Sequence, residues 1–155
     1  MYWIDSTSQF NNNKNIIGNK GRELLNLLDK GFNVPSLGVV TSDSYEHYKL
    51  NLKCPDGLRD KIIQTFSDTD FRFYAVRSSM IGEDGKDSSF AGLFESFLFV
   101  SQEELISKVE KCFDSIDTPR VNKYLNEKKI ENKIKGSIVI QEMIDADCSG
   151  VAFSR

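Results

Sequence analysis

Several residue types that usually mark a site chemistry are scarce in this sequence. The single histidine, His47, falls in a helical stretch beside Tyr45 and Tyr48 and is assigned no chemistry. The 3 cysteines, Cys54, Cys112 and Cys148, are far apart and form no Cys-x-x-Cys pair. That argues against a disulfide framework or a zinc site, and for reduced thiols in a cytoplasmic protein. No apolar run approaches the length of a membrane span. The opening Met1-Tyr2-Trp3-Ile4-Asp5 lacks the basic region and apolar core of a secretory signal. The formal net charge is −3, so no basic surplus is available to neutralise a nucleic-acid backbone. Neither an internal repeat nor a low-complexity linker divides the chain. What remains is 155 residues, 39% hydrophobic and 28% charged. That is enough for one globular domain with a real core.

Taken in order, residues 1–17 read as an irregular, asparagine-rich lead-in, with Ile16 and Ile17 joining the core. Gly18-Asn19-Lys20-Gly21 is a turn into a helix over 20–30, whose apolar face is Leu24, Leu25, Leu27 and Leu28 and whose stop signal is Gly31. Pro35 keeps Val34 extended, and a strand follows over 37–41. Ser42 or Asp43 caps a helix over 43–50. After Pro55-Asp56-Gly57 comes a helix over 58–66. Ser101 and Glu104 have capping-box spacing and open a helix over 101–116 that turns Leu105, Ile106, Val109 and Phe113 inward. Pro119 suits the first turn of a further helix over 119–127, buried through Val121, Tyr124 and Leu125. The charge-rich residues 126–135 read as a solvated helix end and loop. The β-branched run over 138–144 reads as a central strand. Beyond a turn at 145–150, Val151-Ala152-Phe153 begins another strand. The expected fold class is α+β, with helices on a mostly antiparallel sheet.

The remaining stretch, 71–100, carries the chemistry. An apolar strand over 72–77 ends in Arg77. Ser78, Ser79 and a loop with Gly82, Glu83, Asp84, Gly85, Ser88 and Ser89 follow, then Gly92 and a second strand over 95–100. Glycines let main-chain N–H groups approach phosphate oxygens, hydroxyls add donors, and a guanidinium supplies charge. From spacing alone, a hairpin with a polar turn is the simpler account. Glu83 and Asp84 read as solvated or turn-capping acids, not as a metal pair. Lys20 at a helix N-terminus opposes the helix dipole unless an anion lies nearby.

Three ordered blocks, about half the chain, resemble the nucleotide-binding segment of the phosphoenolpyruvate synthase / pyruvate phosphate dikinase family. The first is Gly18-Asn19-Lys20-Gly21 through Val34-Pro35 to Thr41. The second is Val76-Arg77-Ser78-Ser79 with Glu83-Asp84, Ser89-Phe90-Ala91-Gly92 and Glu95-Ser96-Phe97-Leu98. The third is Val139-Ile140-Gln141-Glu142-Met143 through Ser154. The Ser89–Gly92 block is closer to the phosphoenolpyruvate synthase and rifampin phosphotransferase branch than to the dikinases.

This resemblance implies the first subdomain of an ATP-grasp-like domain, continuing past Arg155, with ATP as ligand. It implies Lys20 on the α- and β-phosphates and Arg77 orienting the transferred phosphates as the catalytic cation. Phe90, Ala91 and Gly92 would cradle the phosphate chain, with the Ser96 hydroxyl beside them. Gln141, Glu142 and Met143 would line the adenine. No residue here is assigned to a metal: the resemblance places the magnesium carboxylates in a second subdomain. It also implies a phosphohistidine domain and a pyruvate-binding barrel as partners, with no nucleic acid and no membrane. The parent activity would be ATP-dependent phosphorylation of a histidine and then of pyruvate. A rifampin phosphotransferase-like enzyme, or a stand-alone nucleotide-binding or interaction module of the same fold, are the alternatives.

Overall fold

A computed structural model describes residues 1–5, 15–67, 72–81, 92–128 and 135–151. Among them stand five strands, β1 (Trp3–Asp5), β2 (Leu37–Val40), β3 (Tyr74–Ile81), β4 (Ser96–Val100) and β5 (Lys135–Glu142). The helices are α1 (Asn19–Asp29), α2 (Ser42–Asn51), α3 (Leu58–Thr65), α4 (Leu105–Asp114) and α5 (Pro119–Glu127). The strands form one sheet in the order β1-β2-β5-β3-β4, and every adjacent pair is antiparallel. The fold is α+β, as expected.

The two faces of the sheet are built differently. Alternation along β3 and β5 sends Tyr74, Val76, Met80, Ile138 and Ile140 to one side. There they join Tyr45, Leu58, Ile62, Leu105, Val109 and Phe113 from α2, α3 and α4 in the larger core. The other side carries a smaller cluster of Ile4, Leu37, Val39 and Val139 with Ile17 and Leu25, and α1 packs there. Burial of an aliphatic or aromatic side chain contributes about 1.5–3 kcal/mol, so the larger core supplies most of the stability. The α1 face keeps room for polar groups.

Local signals account for the helix ends. At the end of α1, Gly31 has φ +79. Its N–H donates to Leu28 O and that of Phe32 to Leu27 O, the paired bonds of a Schellman ending that favours glycine. Ser101 and Glu104 form the expected capping box. The Thr118 side chain accepts from Val121 N, with Pro119 in the first position of α5.

Other expectations need correction. Residues 3–5 are not irregular: they form β1, pairing with β2 from Trp3↔Val40 to Asp5↔Gly38. β3 runs to Ile81 and β5 starts at Lys135, because they pair with each other from Tyr74↔Glu142 to Ile81↔Lys135. Leu27 is 38% exposed and lies off the buried face of α1. Thr41, not Ser42 or Asp43, is the N-cap of α2. The segment 101–116 is a helix whose two ends tighten into 3-10 turns, at Gln102–Glu104 and Ser115–Asp117. Val151 is exposed and in no strand, while 152–155 lie outside the described residues.

Cys54 and Cys112 are buried and free, and Cys148 is exposed and free. Burial pushes both buried thiols up to about 12, with Glu110 adding to the effect on Cys54 and Glu95 to that on Cys112. Such thiols are inert toward oxidation and metals. His47 meets the Tyr2 ring edge-on at 5.6 Å between centroids, a packing role. No described helix is long and apolar enough to cross a membrane.

Candidate nucleotide site

The site begins where α1 lands on the sheet. Gly18, the N-cap of α1, donates its N–H to Ser137 Oγ at 2.7 Å. Ser137 Oγ in turn donates to Ser79 O at 2.7 Å, and Ser79 Oγ accepts from Gly21 N at 3.1 Å. Ser79 and Ser137 stand opposite each other on β3 and β5 and are fully buried. The first turn of a helix has N–H groups without internal partners. Here two of them bond to strand hydroxyls, which pins the helix end to the centre of the sheet. The approach is close: a Cβ at Gly18 would lie 2.1 Å from Ser79 O. The sequence marks Gly18 only as a turn residue and Ser137 only as a strand opening. Their partners are remote in sequence, so neither role is visible locally.

Donors are in excess around this junction. α1 has no acidic residue in its first turn. Lys20 Nζ reaches across to Ser78 O at 3.0 Å, and no carboxylate among the described residues pairs with it. Ser78 is the residue after Arg77, so the Lys20 ammonium lies against the backbone of β3 next to the residue that carries the guanidinium. Arg77 is half-buried and makes no hydrogen bond or ion pair among the described residues. Asn19 Nδ2, in the same helical turn, is shielded from solvent and has no hydrogen-bond partner among the described residues. A buried donor without an acceptor is costly, and a cation in the first helical turn opposes the dipole. An anion at a helix N-terminus would offset both costs. The donor set fits the phosphates of a nucleotide.

Strand register sorts the other expected site residues. Arg77 is flanked by Ser96 on β4 and Val139 on β5, so Ser96 shares the face on which α1 packs. Gln141 lies opposite Ala75 on that face, roughly 7 Å along the strand from Arg77. It is only 6% exposed, and its amide donates to Pro35 O at 3.4 Å. Met143 continues the ladder, its N–H donating to Phe73 O at 3.0 Å. Glu142 alternates to the opposite face. Its N–H is taken by Ser36 O at 2.9 Å, and its carboxylate accepts from Ser36 N at 3.3 Å. The N–H groups of Glu142 and Met143 are therefore committed within the sheet. Gly92 has φ +71 and leads into β4, but its carbonyl accepts from Arg120 Nη2 at 3.4 Å, which ties it to α5. Phe90 and Ala91 lie outside the described residues. Lys20, Arg77, Ser96, Gln141 and Met143 thus come to one side of the sheet, while Glu142 faces away and Gly92 is held toward α5. Among the described residues no group of three or more His, Cys, Asp or Glu stands together to hold a metal.

Residues 50–155 match the family model described as "Pyruvate phosphate dikinase, AMP/ATP-binding domain". This chain belongs to that family. It is an AMP/ATP-binding domain. The AMP/ATP-binding domain is also similar to longer proteins. It is 33% identical over 90% of its length to "Uncharacterized phosphotransferase YvkC" of Bacillus subtilis (strain 168), of which it covers 19%. It is 28% identical over 98% of its length to "Probable phosphoenolpyruvate synthase" of Methanocaldococcus jannaschii, covering 16% of that protein. "Prodigiosin synthesizing transferase PigC" of Serratia marcescens is 28% identical over 90% of the chain, which covers 18% of that relative. The chain thus spans less than a fifth of the length of these relatives.

Proposed function

We propose that this chain binds the phosphates and base of ATP for a phosphoenolpyruvate synthase-like phosphotransferase, in the manner of an ATP-grasp first subdomain. Arg77 and Lys20 hold the phosphate chain at the N-terminus of α1. Ser96 adds a hydroxyl beside Arg77, and the Gln141–Met143 end of β5 meets the adenine. Arg77 acts as the catalytic cation, orienting the phosphoryl group through its fork of donors. The observation that carries this reading is the excess of donors where α1 meets β3: Lys20, which bonds Ser78 O but pairs with no carboxylate among the described residues, Asn19 Nδ2, which has no acceptor among them, and Arg77 on the adjoining strand face.

Phosphoryl transfer requires a divalent cation to neutralise developing charge. In this reading the carboxylates that hold magnesium belong to a second subdomain of the parent enzyme. A phosphohistidine domain and a pyruvate-binding barrel complete that enzyme in this reading. The relatives carry the names of a phosphoenolpyruvate synthase, a phosphotransferase and a prodigiosin-forming transferase. A shared nucleotide domain with different acceptors accounts for that spread.

The test is a calorimetric titration of the chain with ATP at low and high salt. One wall of a cleft leaves its charges partly screened, so the expected dissociation constant is about 1 mM, or about −4 kcal/mol. It should weaken as salt is added, because the contacts are ionic. Affinity indifferent to salt, or no saturation at many times that concentration, would contradict the assignment.

A further inference from the structure

β4 is an edge strand that carries an irregularity at one place. Tyr74 pairs with Val100 and Val76 with Phe97, so Leu98 and Phe99 together oppose the single residue Ala75. An extra residue of this kind is a β-bulge, which re-aims a side chain. Phe99 adopts φ +55, a conformation that is an outlier for a bulky side chain and that glycine or asparagine accepts readily. The residue is nevertheless 66% exposed, so core packing does not account for the phenylalanine.

The neighbours of Phe99 do. Its N–H donates to Met143 Sδ at 3.0 Å. Its ring meets Phe73 edge-on, with 5.9 Å between centroids. Phe73 and Met143 form the rung beyond Glu142, on the face that carries Arg77. That rung lies four residues from Arg77, roughly 14 Å along the strand. One strip of the sheet therefore has cations at one end and an aromatic and thioether cluster at the other. A nucleoside triphosphate has the same polarity and a comparable reach.

From this arrangement we infer that Phe99, backed by Phe73 and Met143, is the platform on which the nucleobase stacks. The inference rests on the nucleotide reading given above and adds to it a residue from a different strand. Backbone strain kept at an exposed aromatic is the pattern of a site held for binding rather than for stability. Stacking reads the flat face of a base, so any purine nucleotide gains from it, and inorganic polyphosphate gains nothing.

The experiment compares ATP and inorganic tripolyphosphate binding to the wild-type chain, Phe99→Gly and Phe99→Trp. Loss of a stacked aromatic commonly weakens binding about tenfold or more. Phe99→Gly should weaken ATP by about tenfold, leave tripolyphosphate unchanged, and melt at the same temperature as wild type or higher. Phe99→Trp should retain ATP affinity. If Phe99→Gly binds ATP as wild type does, or weakens both ligands equally, the platform is refuted and the exposed ring serves another contact. A wild-type chain that binds ATP no tighter than tripolyphosphate refutes the platform but leaves the phosphate site standing. A chain that binds neither ligand overturns the nucleotide reading, and this inference with it.

Discussion

Arg77→Ala should lose ATP affinity by about tenfold to a hundredfold while its thermal midpoint stays level or rises. Charge-assisted hydrogen bonds to a charged group contribute about 1.5–3 kcal/mol, and each 1.4 kcal/mol is tenfold in affinity. Stability should not fall, since Arg77 has no partner among the described residues to lose. Removing a half-buried cation that lacks a counter-charge relieves desolvation instead. Arg77→Lys keeps the charge but not the planar fork, so it should recover only part of the loss. Lys20→Ala should cost less affinity than Arg77→Ala, because a lysine acts as a point charge and its ammonium here already bonds Ser78 O. All of these differences should shrink at high salt. Isothermal titration and differential scanning calorimetry on the same samples read both quantities. An Arg77→Ala chain that binds ATP normally would remove Arg77 from the site. One that melts far below wild type would give Arg77 a structural role instead.

Gly18→Ala should do the reverse, with a large loss of stability and a loss of binding that follows from it. Its Cβ would lie 2.1 Å from Ser79 O and 2.5 Å from Ser79 Oγ. Those atoms belong to β3, where Ser79 is paired with Ser137 of the central strand β5 and has little room to retreat. α1 must lift, and two buried bonds go with it, Gly18 N to Ser137 Oγ and Gly21 N to Ser79 Oγ. Overpacking costs about 1–3 kcal/mol, and each buried group left unsatisfied costs about 1–3 kcal/mol more. With partial relaxation, a net loss of about 3 kcal/mol is expected. For a domain of this size that is a drop of about 6–12 °C in Tm. Gly150→Ala is the control: Gly150 has no atom of the described residues near its missing Cβ, so it should melt as wild type does. A Gly18→Ala chain of wild-type stability would mean that α1 is not seated against Ser79 as described.

These two residues also show what the sequence reveals and what it hides. Arg77 stands out because it ends an apolar run beside serines and glycines, a pattern contained within a few residues. The helices were legible for the same reason: leucine spacing, a capping box and a stop glycine are local signals. Gly18 was legible only as a turn, since its steric demand comes from a strand far along the chain. β1 was missed because Trp3–Asp5 is too short to show alternation and exists only through pairing with β2. The extent of β3 and β5 is likewise set by their mutual pairing, not by composition: Met80 and Ile81 continue a strand into what reads locally as a polar loop. In the candidate site, the cations and Gln141–Met143 were visible from resemblance. That Glu142 turns to the other face follows only from register. The same holds for Phe99, whose position depends on a bulge that cannot be seen until β3 and β4 are aligned.

The central claim is that nucleotide phosphates sit at the N-terminus of α1 beside Arg77 and the base lies toward Met143. The most direct measurement is an NMR titration of the chain with ATP and AMP, following backbone and arginine side-chain signals. ATP should perturb Lys20, Arg77 and Ser96 together with Phe99 and the Gln141–Met143 end of β5, all with one dissociation constant that weakens with salt. AMP should move the Gln141–Met143 end while acting less on Lys20 and Arg77. ATP shifts confined to the lysine-rich residues 128–135, with Lys20 and Arg77 unmoved, would show nonspecific charge pairing and contradict the account.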